Sequence, residues 1–259
     1  CIGSGFSGRI WITLNESGTD SWDSGYWNQT DADGYLWIYY DPGCSPLYKV
    51  GNHDWRGGID FNDTCYKPGN STDQNLSITG NLKYSLEIPE KGNTTPVGDI
   101  LYVRYNITDD CGVMVNDTTS IVGFGSPNDE WEYYNVTNEG NGWYNYSWDT
   151  SFHMGGWWDI GINSSRNWFY PNSTVWEDWI YLHNTPPIID EPNVSPSEGP
   201  WGGTFVYNVS IWDLQQDNVT CELYVSTDNQ TTWTLKNSTV IYWGQGNCEL
   251  SVSDFNCSD

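Results

Sequence analysis

The chain has 259 residues, with 9 Lys and Arg against 34 Asp and Glu, a formal net charge of -25. A surface this acidic repels phosphate backbones and excludes nucleic acid as a partner. The 17 Trp and 18 Tyr set the chain apart from a disordered acidic tail, and no apolar run approaches the ~20 residues that cross a bilayer.

Helix formers are scarce, with a single alanine at Ala32, and the apolar pattern has the period of strands. Taken in chain order, Ile10, Ile12 and Leu14 alternate with Arg9, Trp11 and Thr13. In the stretch from Leu101 to Thr108, one face reads Leu101, Val103, Tyr105 and Ile107, and the other carries Tyr102, Arg104, Asn106 and Thr108. Tyr144, Tyr146 and Trp148 alternate with Trp143, Asn145 and Ser147. Phe205, Tyr207, Val209 and Ile211 oppose Asn208 and Ser210. Each reads as a half-buried strand with one wet face. Turns such as Asp33-Gly34, Pro68-Gly69, Asn141-Gly142 and Gly202-Gly203 punctuate them. Short strands with frequent turns predict an all-β chain of tandem Ig-like β-sandwich domains.

Tyr105-Asn106-Ile107-Thr108 and Tyr207-Asn208-Val209-Ser210 each follow a Pro-x-x-Gly turn, which gives a weak repeat with an offset of about 100 residues, the size of an immunoglobulin-like domain. Thr185-Pro186-Pro187 marks a stiff connection. The expected units are a β-rich N-terminal domain over 1–83, an Ig-like sandwich over 84–184 and an incomplete Ig-like sandwich over 185–259. The chain starts at Cys1 rather than Met, and the expectation is a mature product or a fragment.

N-x-[ST] sequons fall at Asn15, Asn28, Asn62, Asn70, Asn75, Asn93, Asn106, Asn116, Asn135, Asn145, Asn163, Asn172, Asn193, Asn208, Asn218, Asn229, Asn237 and Asn256. Chance placement of the Asn, Ser and Thr present would give roughly 4 to 5. The excess predicts a heavily N-glycosylated extracellular protein. Asn106, Asn145 and Asn208 are expected on outward faces.

The seven cysteines form no C-x-x-C pair, which argues against zinc ribbons and redox motifs and for structural disulfides in an oxidising compartment. Cys221 and Cys248 open near-identical strands, Cys-Glu-Leu-Tyr-Val-Ser and Cys-Glu-Leu-Ser-Val-Ser, and are expected to pair. Cys44 and Cys65, 21 residues apart with turns between them, are expected to pair as well. Cys1, Cys111 and Cys257 are left unassigned.

No catalytic constellation stands out. His53, His153 and His183 are isolated, and neither H-E-x-x-H nor G-x-S-x-G occurs. Asp129-Glu130-Trp131-Glu132 and Trp176-Glu177-Asp178-Trp179 put acids beside aromatics, as sugar sites do, but nothing selects two of them as a glycosidase pair. Neither a catalytic site, a cofactor nor a catalytic metal is expected. Loop carboxylates at Asp31, Asp33, Asp109 and Asp110 can supply hard oxygen ligands, so structural calcium is the one ion considered. Trp22, Trp27, Trp157 and Trp158 are candidates for exposure. Ser226 to Trp233 resembles the Asp-box turn of sialidase-type propellers, with Gln230 where that motif has Gly; it reads as a hairpin tip with a packed Trp.

Asn184-Thr185-Pro186-Pro187, Val194-Ser195-Pro196, the run from Gly203 to Ser210 and the run from Leu223 to Asp228 resemble the Ig-like repeats of large archaeal cell-surface glycoproteins. Asp110-Cys111-Gly112 and the run from Glu139 to Tyr144 resemble the repeat type that precedes them. The resemblance spans roughly residues 84 to 250. It implies a structural subunit of an extracellular archaeal assembly (S-layer, sheath or filament), with copies of itself and covalent N-glycans as partners and no membrane span in this chain. A carbohydrate-binding adhesin module is the alternative, and a secreted glycoside hydrolase stands third.

Overall fold

In the computed structural model, residues 6–18, 20–59, 67–226, 230–253 and 255 are described. The chain is all-β, and a single 3-10 turn at Tyr242–Gly244 is the one helical element among these residues. No helix of the described residues is long and apolar enough to cross a membrane.

The first group of strands is β1 (Ser7–Ile12), β2 (Tyr26–Gln29), β3 (Gly51–Ile59), β4 (Gly69–Asn70) and β5 (Gln74–Ile78). They form one antiparallel sheet in the order β2-β1-β3-β4, with β5 also paired to β3. Ile10, Ile12 and Leu14 point to the same side as Trp55, Leu76 and Ile78, and Tyr40 and Tyr48 close over them. The segment supplying those tyrosines serves as the second layer that an amphipathic sheet requires. Two polar side chains, Thr13 and His53, are also fully buried. The His53 ring satisfies their surroundings, with Nδ1 2.6 Å from the Thr13 carbonyl and Nε2 2.5 Å from that of Lys49. Tyr48 donates to Asp23 at 2.6 Å, and burial pushes its phenol far above the usual range.

β6 (Gly80–Asn81) leads into β7 (Lys83–Ile88), β8 (Asn93–Pro96), β9 (Ile100–Thr108), β10 (Thr119–Gly125), β11 (Trp131–Asn135), β12 (Thr137–Gly140), β13 (Trp143–Asp149), β14 (Gly156–Ser165), β15 (Phe169–Tyr170) and β16 (Asn172–His183). Two sheets, β11-β10-β14-β16-β8 and β12-β13-β9-β7, face each other as an Ig-like sandwich. Leu101, Val103, Tyr105 and Ile107 of β9 are buried, as the alternation predicts. They sit beside Trp148, Tyr146 and Tyr144 of β13 in register. Across the sandwich lie Val122 and Phe124 of β10 with Ile160 and Ile162 of β14. Large aromatics share this core with aliphatic side chains. Phe124 stacks on Trp148 at 4.0 Å, and Trp148 meets Trp158 edge-on at 5.0 Å. A buried chain of hydroxyls links the sheets: Tyr105 to Ser120 at 2.5 Å, then Ser120 to Ser164 at 2.6 Å. On the outer face, Gly123 and Gly161 pair directly and leave room for the rings of Tyr133 and Trp131 to lie against the backbone. A Cβ at Gly161 would meet Trp131 at 2.8 Å.

The third group is β17 (Ile188–Ser195), β18 (Phe205–Trp212), β19 (Val219–Val225), β20 (Thr234–Ile241) and β21 (Gln245–Val252). Sheet β17-β18-β21 packs on the β19-β20 hairpin around Ile211, Cys248 and Leu250. A disulfide between Cys221 on β19 and Cys248 on β21 joins the two layers. The repeated Tyr-Asn-apolar-hydroxyl runs occupy equivalent places, since β9 lies between β13 and β7, and β18 between β17 and β21.

Cys44 is bonded to Cys111, which corrects the expected Cys44–Cys65 pair; Cys65 itself lies outside the described residues. Spacing along the chain favoured the nearer partner. The fold instead lays the segment from Cys44 to Val50 against the turn after β9. Asp109 builds that turn by accepting the amides of Cys111 and Val113, both at 2.8 Å. The bond therefore crosses from the first sheet to the middle sandwich. Beside it lies a cleft of about 750 Å³, lined from one side by Glu16, Tyr48 and Lys49 and from the other by Asp109, Met114 and Arg166.

Candidate functional surfaces

Three sequons, Asn62, Asn229 and Asn256, lie outside the described residues. None of the other fifteen asparagines is buried. Asn28, Asn70, Asn75, Asn93, Asn135, Asn163, Asn172, Asn193 and Asn218 are exposed, and Asn15, Asn106, Asn116, Asn145, Asn208 and Asn237 are partly so. Strand alternation accounts for this. Asn106 and Asn145 share the outer face of the β9–β13 pair, where Asn145 stands opposite Arg104. Arg104 lies 4.1 Å over the Trp143 ring and binds Glu139 and Glu87. That guanidinium holds the Glu139 carboxyl below its usual range. Asn193 and Asn208 stand directly opposite each other across β17 and β18. The amide groups are anchored locally: Asn28 Nδ2 donates to the Trp37 carbonyl at 2.7 Å, Asn172 Nδ2 to that of Leu82 at 2.7 Å, and Asn237 Nδ2 to that of Ser251 at 2.9 Å.

The acidic loops are engaged in their own turns. One Asp31 oxygen accepts the amides of Tyr35 and Asp33, at 2.8 and 3.1 Å, and the other accepts Trp37 Nε1 at 3.0 Å. The Tyr35 amide leads the effects that lower the Asp31 carboxyl below its usual range. Asp110 accepts from the Asn81 amide at 2.8 Å, which likewise lowers its carboxyl, and pairs with Lys83 at 3.4 Å. Among the described residues, no group of three or more His, Cys, Asp or Glu side chains gathers as metal ligands would.

The acid–aromatic runs separate in space. Glu132 lies 2.8 Å from His153 Nε2 and accepts the Tyr134 hydroxyl at 2.6 Å. Its neighbours Asp129 and Glu130 are exposed in a turn ordered by Ser126 Oγ. Glu177 and Asp178 are exposed where β16 shifts register against β14. His53, His153 and His183 lie in separate places. His53 is in the first core, His153 stands between Trp148 and Trp158, and His183 ends β16 against Tyr181.

The tryptophans divide unevenly. Trp158 is buried, and Trp22 lies beneath the Arg56 guanidinium at 4.0 Å. Trp157 and Trp27 are exposed. Trp233, expected to pack at its hairpin tip, is instead 57% exposed. The tip joins β19 to β20, and residues 227–229 within it lie outside the described residues. The segment after β2 holds a surface that the sequence reading did not single out. Tyr35, Trp37 and Tyr39 point outward at 64, 70 and 91% exposure, while Leu36, Ile38 and Tyr40 alternate inward.

No family model and no curated protein matches the chain. Among solved structures, a tetra-tandem repeat from the extending region of a large adhesion protein aligns over 98% of this chain and 60% of its own, at 14% identity and a TM-score of 0.46. The chain thus spans about 60% of the length of that repeat array. The FN1-FN3 domains of chicken CNTN1 align over 97% of this chain and 80% of their own, at 12% identity and a TM-score of 0.33. The Escherichia coli adhesin FdeC aligns over 98 and 96%, at 10% identity and a TM-score of 0.31.

Proposed function

We propose that the chain is a structural subunit of an extracellular archaeal surface assembly, a filament, sheath or S-layer, built from N-glycosylated Ig-like domains and copies of itself. The observation that carries the reading is the number of sequons, eighteen in 259 residues, and none of the fifteen described is buried where a glycan could not be attached. Exposure alone is what any asparagine shows, since those outside sequons are exposed as well; the weight rests on the number of sequons against the roughly 4 to 5 that chance would give. The two disulfides among the described residues support an oxidising compartment. The resemblance of residues 84 to 250 to archaeal surface repeats supplies the kind of assembly. Enzymatic activity is no part of the reading; Glu132 is engaged by His153 and Tyr134, and Glu177 and Asp178 stand exposed on β16.

The charge of -25 opposes self-packing. Divalent cations bridging acidic loops of adjacent copies would offset it, so calcium is expected to promote assembly and chelators to loosen it. Electron microscopy of the native glycosylated protein tests the reading directly. Ordered filaments or sheets are expected, and dispersed monomers at every calcium and salt concentration would refute it. Intact-mass measurement of the same material should show a chain far heavier than 29.5 kDa.

The outward row of Tyr35, Trp37 and Tyr39 favours a second reading, a sugar-binding adhesin module. Binding of free oligosaccharides on a glycan array, by protein that remains monomeric, would favour it over the first.

A further inference from the structure

The row Tyr35, Trp37 and Tyr39 has the geometry of a built surface. Trp37 is pinned through its indole N–H to Asp31 Oδ2 at 3.0 Å, and Asp31 is itself fixed by the amides of Asp33 and Tyr35. The ring is thus rigid and exposed. Beside it lies a recess of about 410 Å³, lined by Tyr26, Trp27, Asn28, Trp37 and Tyr39 among others. In the wall of that recess stands a sequon asparagine, Asn28, whose side-chain amide donates to the Trp37 carbonyl at 2.7 Å. Attachment of a sugar replaces one amide hydrogen and leaves the other, so this bond can persist and hold the first sugar at the mouth of the recess.

We propose that the recess is the seat of the glycan carried by Asn28 of the same chain, with sugar rings lying on Trp37 and Tyr39. A pyranose ring presents a face of C–H bonds whose positive polarity complements the negative face of an aromatic ring. Outward residues two apart on an extended segment are spaced ~6.7 Å, so Trp37 and Tyr39 offer successive rings successive platforms. A neutral sugar also covers this patch without bringing a second acidic chain against a molecule of charge -25. The third unit also sets an exposed indole beside a sequon asparagine, through a hydrogen bond of the opposite sense. Trp243, 76% exposed and held at φ 64°, donates its backbone N–H to Oδ1 of the sequon residue Asn218 at 3.2 Å. A left-handed conformation is costly for a bulky residue, and there it places an exposed indole beside a second attachment point.

The proposal rests on the glycosylation reading above, and hydroxyl-radical footprinting separates the two. Protein isolated with its glycans is compared with Asn28→Gln and with Asn75→Gln, which removes an exposed sequon on β5. Peptide mapping should find sugar on Asn28. Oxidation of Trp37 and Tyr39 should rise roughly twofold in Asn28→Gln, because about half of each ring is then uncovered, and stay unchanged in Asn75→Gln. Sugar on Asn28 with equal oxidation in all three proteins would overturn the seat while leaving glycosylation intact. An unmodified Asn28 would remove the occupant and the proposal together. Protection that survives Asn28→Gln and grows with protein concentration would assign the patch to a second copy of the chain and overturn the proposal.

Discussion

The Cys44–Cys111 bond ties the first sheet to the middle sandwich, and its energetic effect should therefore be local. If the first unit opens while the sandwich stays folded, the chain remains anchored at Leu82, which is fully buried in the sandwich core. The bond then closes a loop of 82 − 44 = 38 residues. The chain-entropy model assigns such a loop about 3.9 kcal/mol at 25 °C, against about 4.4 kcal/mol for the full separation of 67 residues when both units unfold. Replacing both cysteines by serine should consequently raise the opening equilibrium of the first unit by up to about 700-fold. Hydrogen exchange read by mass spectrometry reports this segment by segment. Amides of β3 should lose protection by nearly that factor, while amides of β21, in a unit with its own disulfide, keep theirs. Unchanged exchange in β3, or an equal loss in β3 and β21, would refute the assignment of the bond to the joint between the two units.

Phe124→Ala should destabilise the middle sandwich by about 3–5 kcal/mol, since the ring is fully buried and stacked on Trp148 at 4.0 Å; thermal unfolding followed in the near-ultraviolet checks this. Ser164→Ala leaves Ser120 one partner short in a buried chain, with its bond to Tyr105 remaining, and should cost about 1–3 kcal/mol in the same assay. The Glu139 carboxyl is held below its ordinary value of 4.5 by Arg104. Its contribution is complete above that value and lost as pH falls through the lower folded-state value. The gap in melting temperature between wild type and Arg104→Gln should therefore be present at neutral pH and close in acid, and a gap independent of pH would contradict the pairing.

The alternation in β9 was legible because its two faces differ in chemistry: Leu101, Val103, Tyr105 and Ile107 against Arg104, Asn106 and Thr108. The run from Tyr35 to Tyr40 has the same period, but both of its faces are aromatic or aliphatic. Nothing in the pattern says which faces water, and the platform beside Asn28 stayed hidden. The Cys221–Cys248 bond joins two strands whose sequences are near copies, so register and face could be read together. The partner of Cys44 depends on how a loop of the first unit returns over a turn of the second, which is a tertiary contact without local signature. His53 carries no pattern either; its role as a buried link between the Thr13 and Lys49 carbonyls emerges only when β3 and the residues before it meet the distant end of β1.

The bond from Cys44 to Cys111 also sets how the molecule would respond to tension. A pull applied at the two ends passes through the sulfur bridge and bypasses the 67-residue stretch it spans. β3, β5 and β7 to β9 lie inside that stretch and cannot be drawn out between the two ends while the bridge is intact. Fully drawn out, the bypassed chain would measure about 230 Å. In a reducing medium this hidden length becomes extensible, whereas in an oxidising one the joint between the first two units behaves as a short, stiff link.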